Sequence, residues 1–267
     1  MFDTARIDHT GDVHVFAIRE KGCAVRDVVW AEFHSPAGRL VRRPVSQLLR
    51  EALEEREPVW KPVQYRGKQA IATWWRPAGA ARHAGCATLE ALAAARALEF
   101  DPEVAAFTAW PVRLSWADGG GAHVPDFFAR LADGRARLVV RAPGGTASGD
   151  WPEVLRLLDA AGHQAGWQVR VHTPADTSVA EAENRRRLSR YRHARLADAE
   201  AARLLHVAFA APRPLTEGVA ATGLPELSAL AQAHHLIWKR DLRIDWDLPF
   251  VPARSLVWSP AASRAVA

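Results

Sequence analysis

Lysine is nearly missing from this chain: Lys21, Lys61, Lys68 and Lys239 are the only four among 35 lysines and arginines. Apart from histidine, every other basic residue is an arginine. Arginine suits planar, bidentate contact with phosphate, which favours a nucleic-acid partner. A GC-rich genome, which swaps lysine for arginine and enriches alanine, produces the same bias without one. Cysteine is scarcer still. Cys23 and Cys86 lie far apart without metal-ligand spacing, which argues against a disulfide framework and a cysteine zinc site. No run approaches the roughly 18 apolar residues of a membrane span, and Met1-Phe2-Asp3-Thr4-Ala5-Arg6 has no apolar signal core. A cytoplasmic protein is expected. There is no internal repeat. The glycine-rich stretch 143–149 lacks the lysine of a phosphate-binding loop and reads as a plain loop. No Glu-x-x-His pattern surrounds His234-His235, so packed histidines on an apolar helix are the expectation.

What is present is ordinary for a folded chain: 267 residues, 49% hydrophobic and 24% charged, with a net charge of +5. Short apolar runs at Val13–Ile18, Val28–Phe33 and Arg39–Arg42, with a turn at Ser35-Pro36-Ala37-Gly38, predict a small antiparallel sheet within a β-rich segment, 1–62. Ser46 to Glu57 has helical spacing, with Ser46 as cap and Pro58 as stop. A core over 63–175 follows. It comprises an alanine-rich helix (87–100), a strand over 104–116 kinked at Pro111, a hairpin (122–141), a helix capped by Asp150, and a strand at Trp167–His172. The fold class expected is α/β, with the αβββαβ order of a restriction-endonuclease-like core. Residues 176–258 read as mostly helical and winged-helix-like, and 259–267 as a disordered tail.

The hairpin carries the candidate chemistry. Pro125-Asp126 opens an aromatic strand, Asp133-Gly134 supplies the turn, and Arg141 closes a strand of β-branched residues. Metal-dependent nucleases need carboxylates to hold magnesium and a nearby cation to orient the attacking water. Asp126 fits the first carboxylate and Arg141 the cation; a strand-start aspartate capping a turn is the equal alternative. A second arginine-rich stretch, Arg185, Arg186, Arg187, Arg190 and Arg192 around Tyr191, is suited either to DNA phosphates or to a solvated helix face.

Several stretches together resemble the actinobacterial TnsA-like endonuclease subunits of heteromeric transposases. They are Tyr65-Arg66-Gly67, Trp74-Trp75, Arg82-His83-Ala84-Gly85, Phe100-Asp101-Pro102 and His123-Val124-Pro125-Asp126-Phe127-Phe128-Ala129-Arg130. Further on, Tyr191-Arg192-His193, Phe209-Ala210, Pro212-Arg213-Pro214-Leu215 and His235-Leu236-Ile237-Trp238 look like the family's second half. The resemblance implies a magnesium-dependent subunit that nicks double-stranded DNA at transposon ends, beside a DDE-type transposase and an ATPase regulator. It also marks departures. The family's helix-borne glutamates fall, without gaps, on Ala87 and Ala91; Glu90 is one residue away, about 100° around a helix. The family's second hairpin acid falls on Val139. On this pattern the site residues are Asp126 and Glu90 as metal ligands with Arg141, and Glu99, Asp101 and Asp150 are further acids that could reach the site. Two functions are expected: a metal-dependent endonuclease with a partly degenerate site, or an inactive homologue kept as a DNA-binding or scaffolding subunit.

Overall fold

A tryptophan in a left-handed conformation divides the first half of the chain into two sheets. Trp110 has φ +53° and precedes Pro111, so the segment expected to be one kinked strand is two, β7 (Val104–Ala109) and β8 (Val112–Trp116). The two strands enter different sheets. The structure, a computed structural model, describes residues 28–63, 70–142 and 150–260, and the backbone pairing of β1 (Arg6–Ile7) with β2 (Val13–His14). The expected strand residues Val15–Ile18, the Tyr65-Arg66-Gly67 motif, the 143–149 loop and Ala261–Ser263 lie outside the described residues.

The fold is mixed α/β, and the chain divides into two compact units, Met1–Asp176 and Thr177–Ala267. In the first, β3 (Val29–His34) and β4 (Leu40–Pro44) join β8 and β9 (Ala122–His123) in a four-stranded sheet. Residues 29–44, within the β-rich segment expected up to residue 62, are thus paired with the middle of the chain. The central sheet has the order β12-β11-β10-β7, with β10 Phe127–Leu131, β11 Ala136–Arg141 and β12 Gln168–His172. Strands β7, β10 and β11 are antiparallel neighbours. Helix α2 (Trp151–Ala165) then carries the chain across so that β12 runs parallel to β11. Gly134 takes a left-handed φ of +86° in the hairpin turn, where a side chain would be strained.

Alternation along the central strands builds two cores. Phe128, Leu138 and Val140 face α2 and the second sheet, packing with Phe33, Leu114 and Leu158. Phe127, Ala129 and Val139 face the other way, toward α1 (Leu89–Phe100) and the small pair β5 (Thr73–Trp75) and β6 (Ala84–Cys86). Helix α1 lies close because its buried side, Ala91, Ala94, Ala95 and Leu98, is mostly alanine at helical spacing. At the far end of the sheet buried Arg137 donates to Asp101 and Glu103, each at 3.0 Å, and to Gln168.

Two expected helical details differ. Residues 46–57 form two single 3-10 turns, Val45–Gln47 and Leu53–Glu55, in place of one helix. Where the two turns part, the Glu51 carbonyl accepts from Arg130 at 2.7 Å and from the Leu53 N–H, and Arg130 pairs with Glu54. Asp150 stands at the start of α2, but its side chain makes no capping bond.

The second unit has α3 (Val179–Leu188), α4 (Ala199–Ala208), α5 (Leu215–Ala221) and α6 (Glu226–Trp238). A two-residue ladder joins β13 (Arg213–Pro214) to β14 (Leu256–Val257) from either side of α5 and α6, where a winged-helix arrangement would use a hairpin of neighbouring strands. Buried Asn184 holds the proline-punctuated tail: its amide donates to the Trp246 and Leu248 carbonyls, and its oxygen accepts from the Phe250 amide. Ser259, expected in a disordered tail, is buried and donates its N–H to Phe209 O.

Candidate functional site

Three elements meet at the end of the hairpin. Asp126 precedes β10, Arg141 ends β11, and Thr88 caps α1 by accepting the Ala91 amide at 3.1 Å. Asp126 is bound on both oxygens. Its Oδ2 accepts the backbone N–H of Arg141 at 2.9 Å, and its Oδ1 accepts Nε at 3.0 Å and Nη2 at 2.9 Å. Nη1 of the same guanidinium donates to Thr88 Oγ1 at 2.9 Å and reaches Glu90 Oε2 at 3.5 Å. Arg141 therefore lies between the two carboxylates named as metal ligands. The pair is sheltered, with 18% of the Arg141 side chain and 16% of Asp126 exposed, whereas Glu90 is 64% exposed.

The structure brings Asp126, Arg141 and Glu90 together around one cation, the guanidinium. Among the described residues it does not bring a second sheltered acid to them. Val139 and Ala91 are 2% and 1% exposed, packed in the same apolar core. The register explains Val139: it pairs with Phe127, one residue beyond Asp126, so it points to the α1 side as a core residue. The other acids are engaged elsewhere. Glu99 accepts Trp75 Nε1 at 2.5 Å and the Ala78 amide; Asp101 accepts from Glu103 and Arg137; Asp150 is exposed at the start of α2.

Neighbouring titratable groups are suppressed. Burial pushes the Cys86 thiol up to about 12, against the opposing pull of Arg96 and Arg141, so it is no nucleophile at neutral pH. Burial lowers His123 despite the Asp126 charge, and its Nε2 is enclosed without a hydrogen-bond partner. Magnesium, which the resemblance implies, takes several oxygen ligands in near-octahedral array. This donor set does not fit it: both Asp126 oxygens are taken by Arg141, Oδ1 by its guanidinium and Oδ2 by its backbone N–H, and among the described residues no three His, Cys, Asp or Glu side chains cluster to hold a metal.

The arginine-rich stretch is less basic than it reads. Arg185 pairs with Glu181, while Arg186 and Arg187 both pair with Glu183 at 2.6 Å. Hydrogen bonds from those two arginines hold the Glu183 carboxyl down at about 2. Arg192 donates to the Ser189 carbonyl at 2.7 Å and Arg190 is exposed. Tyr191, expected beneath the run, stacks on His234 with centroids 4.6 Å apart, and its carbonyl meets His235 Nδ1 at 2.6 Å. Both histidines are packing residues. No helix among the described residues is long and apolar enough to cross a membrane.

Sequence reasoning passed over two features. Buried Asn184 left no signal among the arginines. The other had one: from Pro58 to Leu89 there is no aspartate or glutamate, and the segment contains Trp60, Trp74 and Trp75 with five lysines and arginines.

Compared with known proteins, the chain matches no protein-family model and no curated sequence.

Proposed function

We propose that this chain is a non-cleaving relative of the TnsA-like endonuclease subunits, a DNA-binding component built on a restriction-endonuclease-like core. Support for that core comes from the elements of the central sheet, α1, β7, β10, β11, α2 and β12 in chain order, with β8 and β9 leaving for the second sheet between β7 and β10; three strands are antiparallel and a helix crosses to a parallel fourth. The motifs that resemble the family fall where such a core keeps its site: Asp126 at a strand start, Arg141 at the end of the next strand, and α1 alongside.

One observation carries the non-cleaving reading. The guanidinium of Arg141 neutralises Asp126 from within the fold and bridges it to Thr88 and Glu90. Arginine is always protonated and takes no part in proton exchange at neutral pH. The charge that would bind a metal is thus spent on joining the hairpin to α1. The role of the subunit is to bind DNA and to position a DDE-type transposase, with an ATPase regulator as the further partner. The second reading, metal-dependent nicking of double-stranded DNA with magnesium on Asp126 and Glu90, is favoured by the approach of both acids to one cation.

The binding half is tested by a mobility-shift titration of duplex DNA in EDTA. The expected result is a complex that forms without divalent metal and weakens steeply with added salt, because phosphate contacts release counterions. Failure to bind duplex or single-stranded DNA at low salt overturns the proposal. The cleavage half is tested by plasmid nicking, treated below.

A further inference from the structure

Beside the Asp126 end of the central sheet lies a run of three indoles. Trp110 donates its backbone N–H to the Asp126 carbonyl at 3.2 Å, and its own carbonyl accepts from Val59. Its ring meets that of Trp60 edge-on, with centroids 4.9 Å apart. On the other side it lies across Gly85: a Cβ added there would sit 2.2 Å from the Trp110 ring and 3.1 Å from that of Trp74. The row is therefore Trp60, Trp110, Gly85, Trp74. Trp110 is buried, while Trp60 and Trp74 are 37% and 55% exposed. Strand alternation makes the outer face possible. Trp75 points inward, tied to Glu99 and covered by Arg96, so its neighbour Trp74 points out.

Two further observations bear on what the row meets. A bulky aromatic at φ +53° is an uncommon, strained conformation, and such strain concentrates at functional sites. The charge is also uneven. The 32 residues from Pro58 to Leu89 hold Lys61, Arg66, Lys68, Arg76 and Arg82 and no acid. The whole formal charge of +5 thus resides there, and the rest of the chain balances 30 bases against 30 acids. Lys61, Arg76 and Arg82 are exposed, Arg82 in an ion pair with Glu57 at 2.8 Å.

Exposed indoles on a basic segment match the chemistry of unpaired nucleic acid, whose bases stack on aromatic rings while cations track the phosphates. We propose that Trp60 and Trp74, flanking Trp110, form a stacking platform for unpaired bases of DNA whose phosphates meet the exposed Lys61 and Arg76. The proposal rests on the DNA-binding reading above and names the state of DNA that the site takes. A duplex keeps its base faces covered and offers the platform only its phosphates.

The test measures fluorescence anisotropy of the full chain, in EDTA, with a labelled single strand of about 16 nucleotides and with the matching duplex. Trp60→Ala and Trp74→Ala are expected to weaken single-strand affinity roughly five- to ten-fold each. Duplex affinity should change less than about two-fold, and Trp74→Tyr should retain most single-strand affinity because a ring is kept. Thermal melts confirm folding; if Trp60→Ala is destabilised through Trp110, the exposed Trp74 variants decide. Wild-type binding to both DNAs with no effect of Trp74→Ala or Trp60→Ala overturns the platform and leaves the DNA-binding reading standing. Equal losses on single strand and duplex likewise refute the preference for unpaired bases. Absence of binding to either DNA removes both proposals.

Discussion

The pair formed by Asp126 and Arg141 is a join between the hairpin and α1 before it is anything else. Three donors from one arginine converge on the Asp126 carboxylate, and a fourth contact ties in the Thr88 cap. Removing one partner of such a sheltered pair strands the other. Arg141→Ala is expected to destabilise the first unit by about 2–4 kcal/mol in chemical denaturation. Arg141→Lys should recover only part, since an ammonium cannot reproduce the fork. Glu90→Gln touches an exposed, 3.5 Å contact and should cost less than about 0.5 kcal/mol. Histidine adds a pH dependence. Burial lowers His123 and His234 below the ordinary 6.5. Each resists protonation in the folded chain and accepts it on unfolding, so stability is full above pH 6.5 and declines as pH falls below it. Melting temperature measured from pH 7.5 down to 5 should drop, and less steeply in His234→Gln, whose amide takes up no proton in this range.

Helix α1 shows how much of a site a helical register decides. A helix that packs through Ala91, Ala94, Ala95 and Leu98 puts position 91 in the core and position 90 in solvent. The resemblance sets its helix-borne acids at positions 87 and 91, and the side-chain period leaves the acid present, Glu90, on the exposed side. The 104–116 segment shows the opposite limit. Its apolar residues read as one strand, because nothing in a Trp-Pro pair announces that Trp110 will turn left-handed and send β8 to another sheet. The 46–57 segment was also illegible locally: its two turns are held by Arg130, far along the chain, which no local periodicity announces. Gly85 belongs to the same scale. Gly85→Ala places a methyl against the Trp110 ring and should cost about 2–3 kcal/mol, read as a lowered melting temperature.

Across the whole molecule, the hairpin, both flanking helices and the parallel closing strand were legible, since each rests on local periodicity, a turn or a cap. The joining of residues 28–44 to β8 was not, because that pairing is long-range and leaves no local mark. In the second unit the arginines drew attention that Asn184 warranted more. It serves three backbone groups at once. Asn184→Leu should strip them all and lower the stability of residues 177–260 by about 2–4 kcal/mol, seen as faster amide exchange at Phe250.

The Arg141 guanidinium lies between Asp126 and Glu90, and we propose that it leaves the chain unable to cleave DNA there. Incubation of the purified chain with supercoiled plasmid in magnesium or manganese, alongside Asp126→Asn, tests it most directly. No nicking above background, and no difference between the two proteins, is expected. Metal-dependent nicking by the wild type that Asp126→Asn abolishes would contradict it.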